Sequence, residues 1–253
     1  PPMSRRPVTP RMRKPAQPQS ILDMTIQAAV FDFDGTLVRS NAIKADAFSQ
    51  TAAAHGIDVS RLDAIRAGHP HADRYEIFER LVADLGPACA GSAERLVESY
   101  GAIVQNAIAR CEWVPGALDT LATLAEHGIA LYVNSATPTA PLVDAVASRM
   151  ATDRFVAIYG GPASKQDNLT HIAATADLLA SQIVMIGDGE DDRLGAAEFG
   201  CHFIGVVADT SAYGLPARRF SHVPDVAVSD LTTIADCIAR MESGDTQRSS
   251  VNV

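Results

Sequence analysis

The chain has 253 residues, of which 47% are hydrophobic and 20% are charged, and this length accommodates one large domain or a core domain with a smaller inserted one. The formal net charge is −9, but five basic residues lie within positions 1–20, and removing them leaves 16 basic against 30 acidic residues, a net charge of −14. A body this acidic repels nucleic acid and anionic membranes, so we expect neither as a partner.

The cysteines lie far apart and form no CxxC pair; they are Cys89, Cys111, Cys201 and Cys237. This spacing is unlike that of a zinc knuckle and gives no disulfide framework, so we expect thiols in a reducing compartment. No apolar run has the length of a membrane-spanning helix, and no apolar signal segment follows the basic N-terminus. These features predict a cytoplasmic protein.

The first 24 residues are rich in proline and basic side chains. Such a composition does not form a packed element, so residues 1–24 are predicted to be a flexible leader. An apolar run from Ile26 then ends in acidic residues and Gly35. This pattern is typical of a buried parallel strand with chemistry at its carboxyl end.

Residues 41–110 break the alternation of strands and helices. Four helices separated by Gly, Pro or Ser are predicted here, at 42–55, 60–67, 72–84 and 92–110. Ser60 and Ser92 are the expected N-caps of the second and fourth. A helical block inserted after the first strand of a parallel sheet is best explained as a small cap over the carboxyl ends of the strands.

Strand-like and helical stretches alternate in the second half of the chain. The predicted strands are residues 129–134, 155–159, 183–187 and 203–207. A helix is predicted at 115–127, with Pro at its start and Gly just past its end. The alternation predicts an α/β fold with a Rossmann-like parallel sheet. We assign this core to residues 25–40 and 111–240, and a flexible tail to 241–253.

Asp32 and Asp34 follow the first predicted strand in the sequence DFDGT, residues 32–36. Side chains alternate along a strand, so positions 32 and 34 face the same way and their carboxylates can share one site. One carboxylate can then act as nucleophile and metal ligand while the other stays near neutral as a proton donor. An Asp-Gly pair is also a common turn, which is the alternative explanation of this motif alone.

The sequence GDGEDD at residues 187–192 follows another predicted strand. Asp188 and Asp192 are four residues apart, which places both on one side of a starting helix, where a cation can bind the first and a lysine the second. For the two acids between them, a favourable interaction with the helix dipole is the better explanation. Lys165 is the candidate lysine because lysine occurs only at positions 14, 44 and 165; a solvated surface side chain is the alternative.

In their order and strand context these motifs resemble the haloacid dehalogenase superfamily, in particular its members with a type-1 helical cap that are similar to phosphoglycolate phosphatase and β-phosphoglucomutase. DFDGT is similar to the first motif, Lys165 to the third, and Asp188 with Asp192 to the fourth. The stretch 128–138 resembles the segment of phosphoglycolate phosphatases that ends in the second motif, which implies Ser135 as the phosphate-binding hydroxyl. The similarity extends over residues 25–210.

The resemblance implies a magnesium-dependent phosphatase. Asp32 would attack phosphorus and form an aspartyl phosphate, while Asp34 would protonate the leaving oxygen and later activate water. Asp32, the backbone carbonyl of Asp34 and Asp188 would hold Mg²⁺. Without the metal, a phosphate dianion would face uncompensated carboxylates.

The resemblance also implies the phosphate site. Ser135 and Lys165 would bind the phosphoryl oxygens, with Asp192 orienting the lysine. The substrate-binding residues around them would be Gly35, Thr36 and Ala136. The expected partner is a small phosphorylated metabolite of the sugar, polyol or glycolate phosphate type.

Arg74 lies in the cap segment where relatives carry a specificity loop. Its guanidinium can bind a carboxylate or a second phosphate through two hydrogen bonds, so we expect it to contact the substrate. His69 and His71 are weaker candidates in the same segment, since loop histidines are commonly solvated.

Other reactions of this superfamily agree less well with the sequence. Phosphonoacetaldehyde hydrolases need a cap lysine, and residues 45–164 contain none. Haloalkanoate dehalogenases lack the acid corresponding to Asp34. Relatives of β-phosphoglucomutase carry a histidine where this chain has Lys44, which weakens the mutase alternative. A catalytically silent binding module is the alternative from a different class.

Overall fold

The structure, a computed structural model, describes residues 25–69, 72–86, 91–149, 152–207 and 220–243. The predicted leader at 1–24, His71 and Cys89 lie outside the described residues. Within them, Cys111, Cys201 and Cys237 are free thiols. None of the described helices combines the length and the apolar character that crossing a membrane requires.

In the described part of the chain, six strands form one sheet. They are β1 (Ala28–Phe31), β2 (Ala130–Pro138), β3 (Ala157–Gly161), β4 (Ile183–Gly187), β5 (His202–Val206) and β6 (Val226–Val228). Their order in the sheet is β3-β2-β1-β4-β5-β6, and every neighbouring pair is parallel. The predicted α/β fold with a Rossmann-like parallel sheet is therefore confirmed. The three-residue β6 has no predicted counterpart.

Both faces of the sheet are covered, which explains why its strands are continuously apolar. In β1, Ala29 and Phe31 belong to one buried cluster, while Ala28 and Val30 belong to another on the opposite face. All four side chains are fully buried. The alternation along the strand thus supplies two hydrophobic layers, and the polar residues that follow β1 are left at its carboxyl end.

Four of the described helices, which we call the cap, lie within residues 41–110, between β1 and β2. They are α1 (Asn41–Ala54), α2 (Val59–Gly68), α3 (Arg74–Leu85) and α4 (Ala93–Ile108). Aromatic rings from three of these helices pack together: the centroid of Phe48 lies 5.3 Å from that of Phe78 and 4.6 Å from that of Tyr100. The cap therefore has an aromatic centre of its own.

The N-caps show why the second cap helix begins earlier than predicted. The Asp58 side chain accepts a hydrogen bond from the Ser60 N–H at 2.9 Å, so Asp58 caps α2 and the prediction of Ser60 was wrong. The predicted cap Ser92 does accept from the Arg95 N–H, at 3.4 Å. Asp and Ser side chains both carry an oxygen that can accept from the free N–H groups of a first turn. At α2 this oxygen comes from Asp58, the residue immediately before the helix.

Five further helices flank the sheet. They are α5 (Ala117–Glu126), α6 (Thr139–Arg149), α7 (Lys165–Ala176), α8 (Glu190–Phe199) and α9 (Ile234–Ser243). The predicted helix at 115–127 corresponds to α5. The last helix continues to Ser243, which is three residues into the tail predicted from position 241.

The cap is joined to the sheet by two connections that lie side by side. The Arg39 N–H donates to the carbonyl oxygen of Glu112 at 2.9 Å, and the Val114 N–H donates to that of Leu37 at 3.0 Å. Val38 also forms an isolated antiparallel bridge with Trp113. The chain thus leaves the sheet and returns to it at one place.

Candidate active site

The candidate residues lie along one edge of the sheet. Phe31 is in register with Val133 of β2 and with Ile186 of β4. The carboxyl ends of these three neighbouring strands are therefore aligned, and ligand sites of open α/β sheets lie outside such ends. Asp32 follows β1, and Asp188 follows β4 at the same edge.

Lys165, the first residue of α7, is buried and its ammonium group meets three acceptors. Its Nζ lies 2.6 Å from Asp32 Oδ1, 2.7 Å from Asp192 Oδ1 and 2.6 Å from the carbonyl oxygen of Asn134. Burial acts to lower the pKa of Lys165, but the attraction of Asp192 and Asp32 outweighs it, so this pKa is raised. The lysine is therefore a charged cation held by two hydrogen bonds and by an ion pair with Asp192.

Asn134 holds the start of α7 in place. Its Nδ2 donates to the carbonyl oxygen of Lys165 at 3.0 Å, and its Oδ1 accepts from Asn168 Nδ2 at 2.9 Å. The side chain is fully buried in β2. We did not predict this role, although an asparagine within an apolar strand run was the available signal, since a buried amide needs partners.

Asp192 is fixed by its place in the first turn of α8. Its Oδ2 accepts a hydrogen bond from the Gly189 N–H at 2.9 Å, and its Oδ1 faces Lys165. The intervening acids behave differently: Asp191 is exposed, and Glu190 forms an ion pair with Arg193 at 2.7 Å. Hydrogen bonding from Arg193 lowers the pKa of Glu190 to about 2.

Asp188 is buried and contacts the first residue of the cap. Its Oδ2 accepts a hydrogen bond from Asn41 Nδ2 at 2.8 Å. Gly35 lies against this pair with a φ of +87°, and a Cβ at this position would lie 2.3 Å from both Asn41 Nδ2 and Asp188 Oδ2. Only glycine can adopt this φ and fit into the space available at position 35.

Three buried carboxylates lie close together in the described part of the chain. One oxygen each of Asp32, Asp188 and Asp192 lies within 4.8 Å of the others. Burial raises the pKa of Asp32 to about 6 against the attraction of Lys165, and Asp188 and Asp34 raise it further. The pKa of Asp192 is also raised by burial. When all three are ionised, one lysine does not balance them and the cluster has an excess of negative charge.

This cluster fits a magnesium ion. Carboxylate oxygens are the ligands that Mg²⁺ uses in proteins, commonly one or two at a time with water and substrate phosphate completing the shell. Asp192 is already held by Lys165 and the Gly189 N–H. The other two carboxylates of the cluster each have one oxygen in a hydrogen bond, Asp32 with Lys165 and Asp188 with Asn41.

Asp34 lies in a different environment from Asp32. Ser40 Oγ donates to its Oδ1 at 2.8 Å, Thr137 Oγ1 donates to its Oδ2 at 2.8 Å, and Lys44 Nζ lies 2.6 Å from Oδ2. Burial acts to raise the pKa of Asp34, but Lys44 and the hydroxyl donors outweigh burial and the pKa is lowered. The prediction that Asp34 stays near neutral was therefore wrong for this arrangement, because three donors stabilise its carboxylate.

Lys44 was noted in the sequence only as a departure from the mutases. In the structure it joins cap helix α1 to the sheet edge, with Nζ also 3.4 Å from Thr137 Oγ1. Its side chain is 25% exposed. The signal that could have found it is the rarity of lysine, since Lys44 is one of three in the chain.

The remaining predicted residues have mixed placements. Ser135 is buried beside Asn134, and its Oγ accepts from the Thr137 N–H at 3.2 Å. Ala136 is exposed, whereas Thr36 is fully buried and its Oγ1 has no hydrogen-bond partner in the described part of the chain. His69 ends α2 as an exposed residue.

A cavity of about 180 Å³ lies between the cap and the sheet edge. Asp34 and Thr137 line it on the side of the sheet, and Arg74 lines it on the side of the cap. Arg74 is partly buried and its guanidinium lies 5.2 Å from the ring centroid of Tyr75. The structure thus brings Arg74 to the cavity next to Asp34, and His69 is not among the residues that line this cavity.

A family model described as a haloacid dehalogenase-like hydrolase matches residues 26–200, more than two thirds of the chain. The chain belongs to the haloacid dehalogenase-like hydrolases. The resemblance seen in the four motifs and the prediction of a hydrolase are confirmed.

Known proteins similar to this hydrolase include a phosphoglycolate phosphatase from Photorhabdus laumondii, which is 25% identical over 188 residues, covering 72% of this chain and 80% of that protein. A predicted phosphoglycolate phosphatase from Haemophilus somnus has a crystal structure with a TM-score of 0.66 at 20% identity, covering 84% of this chain and 97% of that one. CbbY from Rhodobacter sphaeroides, in complex with xylulose-(1,5)bisphosphate, gives a TM-score of 0.64 at 21% identity, with 82% and 96% covered. These structures share the fold.

Proposed function

We propose that this hydrolase is a Mg²⁺-dependent phosphatase that cleaves a small phosphate monoester through an aspartyl phosphate on Asp32. The observation that carries the proposal is the environment of the Asp32 carboxylate, which is buried, lies 2.6 Å from the Lys165 ammonium and shares an oxygen cluster with Asp188. The similarity to a phosphoglycolate phosphatase supports the same reaction class.

The charges of the site favour phosphate only when a divalent cation is bound. Asp32, Asp188 and the backbone carbonyl of Asp34 would hold Mg²⁺, which when bound offsets the carboxylates and the phosphoryl oxygens. Lys165 and Ser135 would bind the other phosphoryl oxygens, and Asp192 would keep Lys165 in place. The main-chain segments at Gly35, Thr36 and Ala136 would complete the phosphate site.

The reaction then proceeds in two displacements. An oxygen of Asp32 attacks phosphorus, the bond from phosphorus to the leaving oxygen breaks, and the leaving oxygen takes a proton. Water then attacks the aspartyl phosphate, which releases phosphate and restores Asp32. Asp34 serves both proton transfers, as a carboxylate that accepts the proton of water and as an acid towards the leaving oxygen.

The ion pair of Asp34 with Lys44 bears on the acid step. Asp34 is ionised in this arrangement, so it needs a proton before it can act as an acid. The ammonium of Lys44, 2.6 Å away, is the protonated member of the pair and can donate to the leaving oxygen directly. Lys44 regains this proton from Asp34 after Asp34 has taken a proton from the attacking water. We assign the leaving-group proton to this pair rather than to Asp34 alone.

The cap, as residues 41–110, would close over the phosphate site and select the substrate. The paired connections at Leu37–Arg39 and Glu112–Val114 give it a single attachment about which it could rotate. Lids of this kind exclude water and contact the far end of the substrate. Arg74, which lines the cavity beside Asp34, is the cap residue placed for such a contact.

The proposal is tested by phosphate release from p-nitrophenyl phosphate and from a panel of small phosphate monoesters. We expect turnover with Mg²⁺, loss of turnover with EDTA and recovery on adding excess Mg²⁺. In a single turnover, acid quenching should trap phosphate covalently on the wild-type protein. If no ester releases phosphate in the presence of Mg²⁺, the chain is not a phosphatase.

A further inference from the structure

The cavity next to Asp34 has an apolar lining that bears on the substrate. One wall is a stripe of cap helix α4, whose residues recur at helical spacing and face one side: Val97, Gly101, Val104 and Ile108. The opposite wall comes from the end of β2 and from α6, and consists of Pro138, Pro141, Leu142 and Ala145. Hydrocarbon groups thus meet from the cap and from the core.

The polar groups of this cavity are few, and those nearest the reacting centre are already paired. Asp34 accepts from Ser40, Thr137 and Lys44, and the Thr137 hydroxyl is donated to Asp34. The other polar side chains of the lining are Arg74, Tyr75 and Gln105. Tyr75 is 46% exposed and Gln105 is exposed, so they lie towards solvent.

This distribution of polar groups disfavours a polyhydroxylated leaving group. Each hydroxyl that enters an apolar cavity loses its hydrogen bonds to water and needs a new partner. A hexose or polyol would place several hydroxyls against Val104, Ile108 and Leu142. A hydrocarbon group has no such requirement and gains from the same contacts.

The volume of the cavity indicates the size of the hydrocarbon group that it can hold. Its volume is about 180 Å³, and an engineered apolar cavity of about 150 Å³ in another protein is known to hold benzene. One six-membered ring or a short alkyl chain therefore fills the space between α4 and α6.

We propose that the substrate is the phosphate monoester of an apolar alcohol, whose single ring or short alkyl chain occupies the cavity between α4 and α6. This inference rests on the proposed phosphatase function and narrows it. Of the sugar, polyol and glycolate phosphates expected from the sequence, it replaces the first two with a hydrocarbon ester, which carries at most one polar or charged group on the side of Arg74.

The first test compares kcat/KM with Mg²⁺ for benzyl phosphate, methyl phosphate, glycerol 1-phosphate and glucose 6-phosphate. All are esters of primary alcohols or of methanol, so their intrinsic reactivities are similar and binding decides the order. Apolar pockets discriminate by about 10- to 10²-fold, and we expect benzyl phosphate to exceed both hydroxylated esters by at least about tenfold. Equal or better cleavage of either hydroxylated ester would overturn the inference.

The second test fills the cavity. A Cβ at Gly101 would meet no atom within 4 Å, so Gly101→Leu extends into open space. It should lower the ratio of kcat/KM for benzyl phosphate to that for methyl phosphate by about tenfold or more. Gly68→Leu is the matched control, because Gly68 also lies in a helix with no atom within 4 Å of its Cβ position. It should leave the ratio unchanged.

A second variant keeps the inference testable if Gly101→Leu does not fold. Val104→Thr retains the shape of a buried side chain and adds a hydroxyl, so it should narrow the preference for benzyl over glycerol phosphate. An unchanged preference in Val104→Thr would overturn the inference, whether or not Gly101→Leu folds. Failure of all esters with Mg²⁺ would instead reject the phosphatase, whereas cleavage of methyl and glycerol phosphate without a benzyl preference rejects the apolar substrate alone.

Discussion

Lys44 Nζ lies 2.6 Å from Asp34 Oδ2, so a side chain of the first cap helix forms an ion pair with an aspartate of the sheet edge. Thr137 from β2 is bonded to the same oxygen. A cation in the cap, a carboxylate after β1 and a hydroxyl of β2 are thus connected. The contact between cap and core therefore sets the charge of the group that we assign to proton transfer.

Replacing Lys44 by methionine should move the pH dependence of catalysis. Burial alone raises the pKa of Asp34, and Lys44 is the first of the groups that lower it. Without the lysine, Asp34 holds its proton to higher pH, so the limb of the kcat/KM profile that belongs to Asp34 should shift to higher pH. Lys44→Arg keeps the positive charge and should shift it less. If this limb of the kcat/KM profile does not move in Lys44→Met, Lys44 does not control the ionisation of Asp34.

Asp32→Asn should remove measurable phosphate release while the protein still folds. An amide does not attack phosphorus, and phosphate monoesters hydrolyse so slowly unaided, with enzymatic enhancements of up to ~10²¹ known, that no residual rate is expected. As a control, Asp191→Asn makes the same substitution at an exposed aspartate of α8, and this variant should retain turnover. Activity of Asp32→Asn within tenfold of wild type would contradict a nucleophilic Asp32.

The sequence predicted β1 to β5 because each contains a run of mostly apolar residues. Strand β4 occupies residues 183–187, as predicted. Strand β2 continues to Pro138, four residues beyond the predicted end, through a register irregularity that follows Asn134. The end of β2 is polar and has no apolar pattern, so it is a strand only because it pairs with the neighbouring strand β3.

The acids of the site were predictable for a similar reason, since the carboxyl ends of parallel strands meet at one edge. Their partners were not. Thr137 is 103 residues from Asp34, and Asn41 is 147 residues from Asp188. Such contacts depend on how the cap and the strands are placed in space, which no local pattern records. The charge of Asp34 depends on them, and that is why its predicted neutral form was wrong.

Magnesium binding should depend on pH through Asp32. Its pKa of about 6 is raised from the ordinary value because burial disfavours the charged form. A metal ligand must be deprotonated, so binding releases a proton and the apparent affinity for Mg²⁺ should increase from pH 5 to pH 7 and then level off. Calorimetric titration with MgCl₂ at several pH values measures this. An affinity that does not change over this range would exclude Asp32 as a titrating ligand.

The raised pKa of Asp32 also affects the stability of the fold in the absence of metal. Because the folded-state pKa of Asp32 is above its unfolded value, its contribution to stability is present at low pH and is lost as the pH rises through about 6. Mg²⁺ should restore that stability above pH 6. Thermal unfolding with Mg²⁺ and with EDTA at pH 5.5 and pH 7.5 should therefore show the larger difference at pH 7.5.

Alanine substitutions at two glycines with positive φ distinguish the cost of backbone strain from the cost of steric conflict. Gly56 has a φ of +67° and an added Cβ would meet no atom within 4 Å, so Gly56→Ala should cost only the left-handed conformation, about 1–2 kcal/mol. Gly35 has a φ of +87°, and its Cβ would collide with Asn41 and Asp188. Gly35→Ala should therefore lower the melting temperature more and also weaken Mg²⁺ binding. Equal losses in both variants would show that the contact with Asp188 adds nothing.

Arg74→Ala should change substrate choice without disabling phosphoryl transfer. Arg74 lines from the cap side the cavity that Asp34 lines from the sheet side. For an ester that carries a carboxylate on the side of Arg74, such as 4-carboxybenzyl phosphate, loss of the guanidinium leaves a charged group unpaired and should lower kcat/KM by the equivalent of about 2–4 kcal/mol. Benzyl phosphate offers no such group and should lose much less. Arg61→Ala, in the exposed pair that Arg61 makes with Asp84 at 3.0 Å, controls for removing a cap arginine and should affect neither ester. Equal losses for both esters in Arg74→Ala would make Arg74 a structural residue of the cap, and the assignment of its guanidinium to the substrate would be wrong.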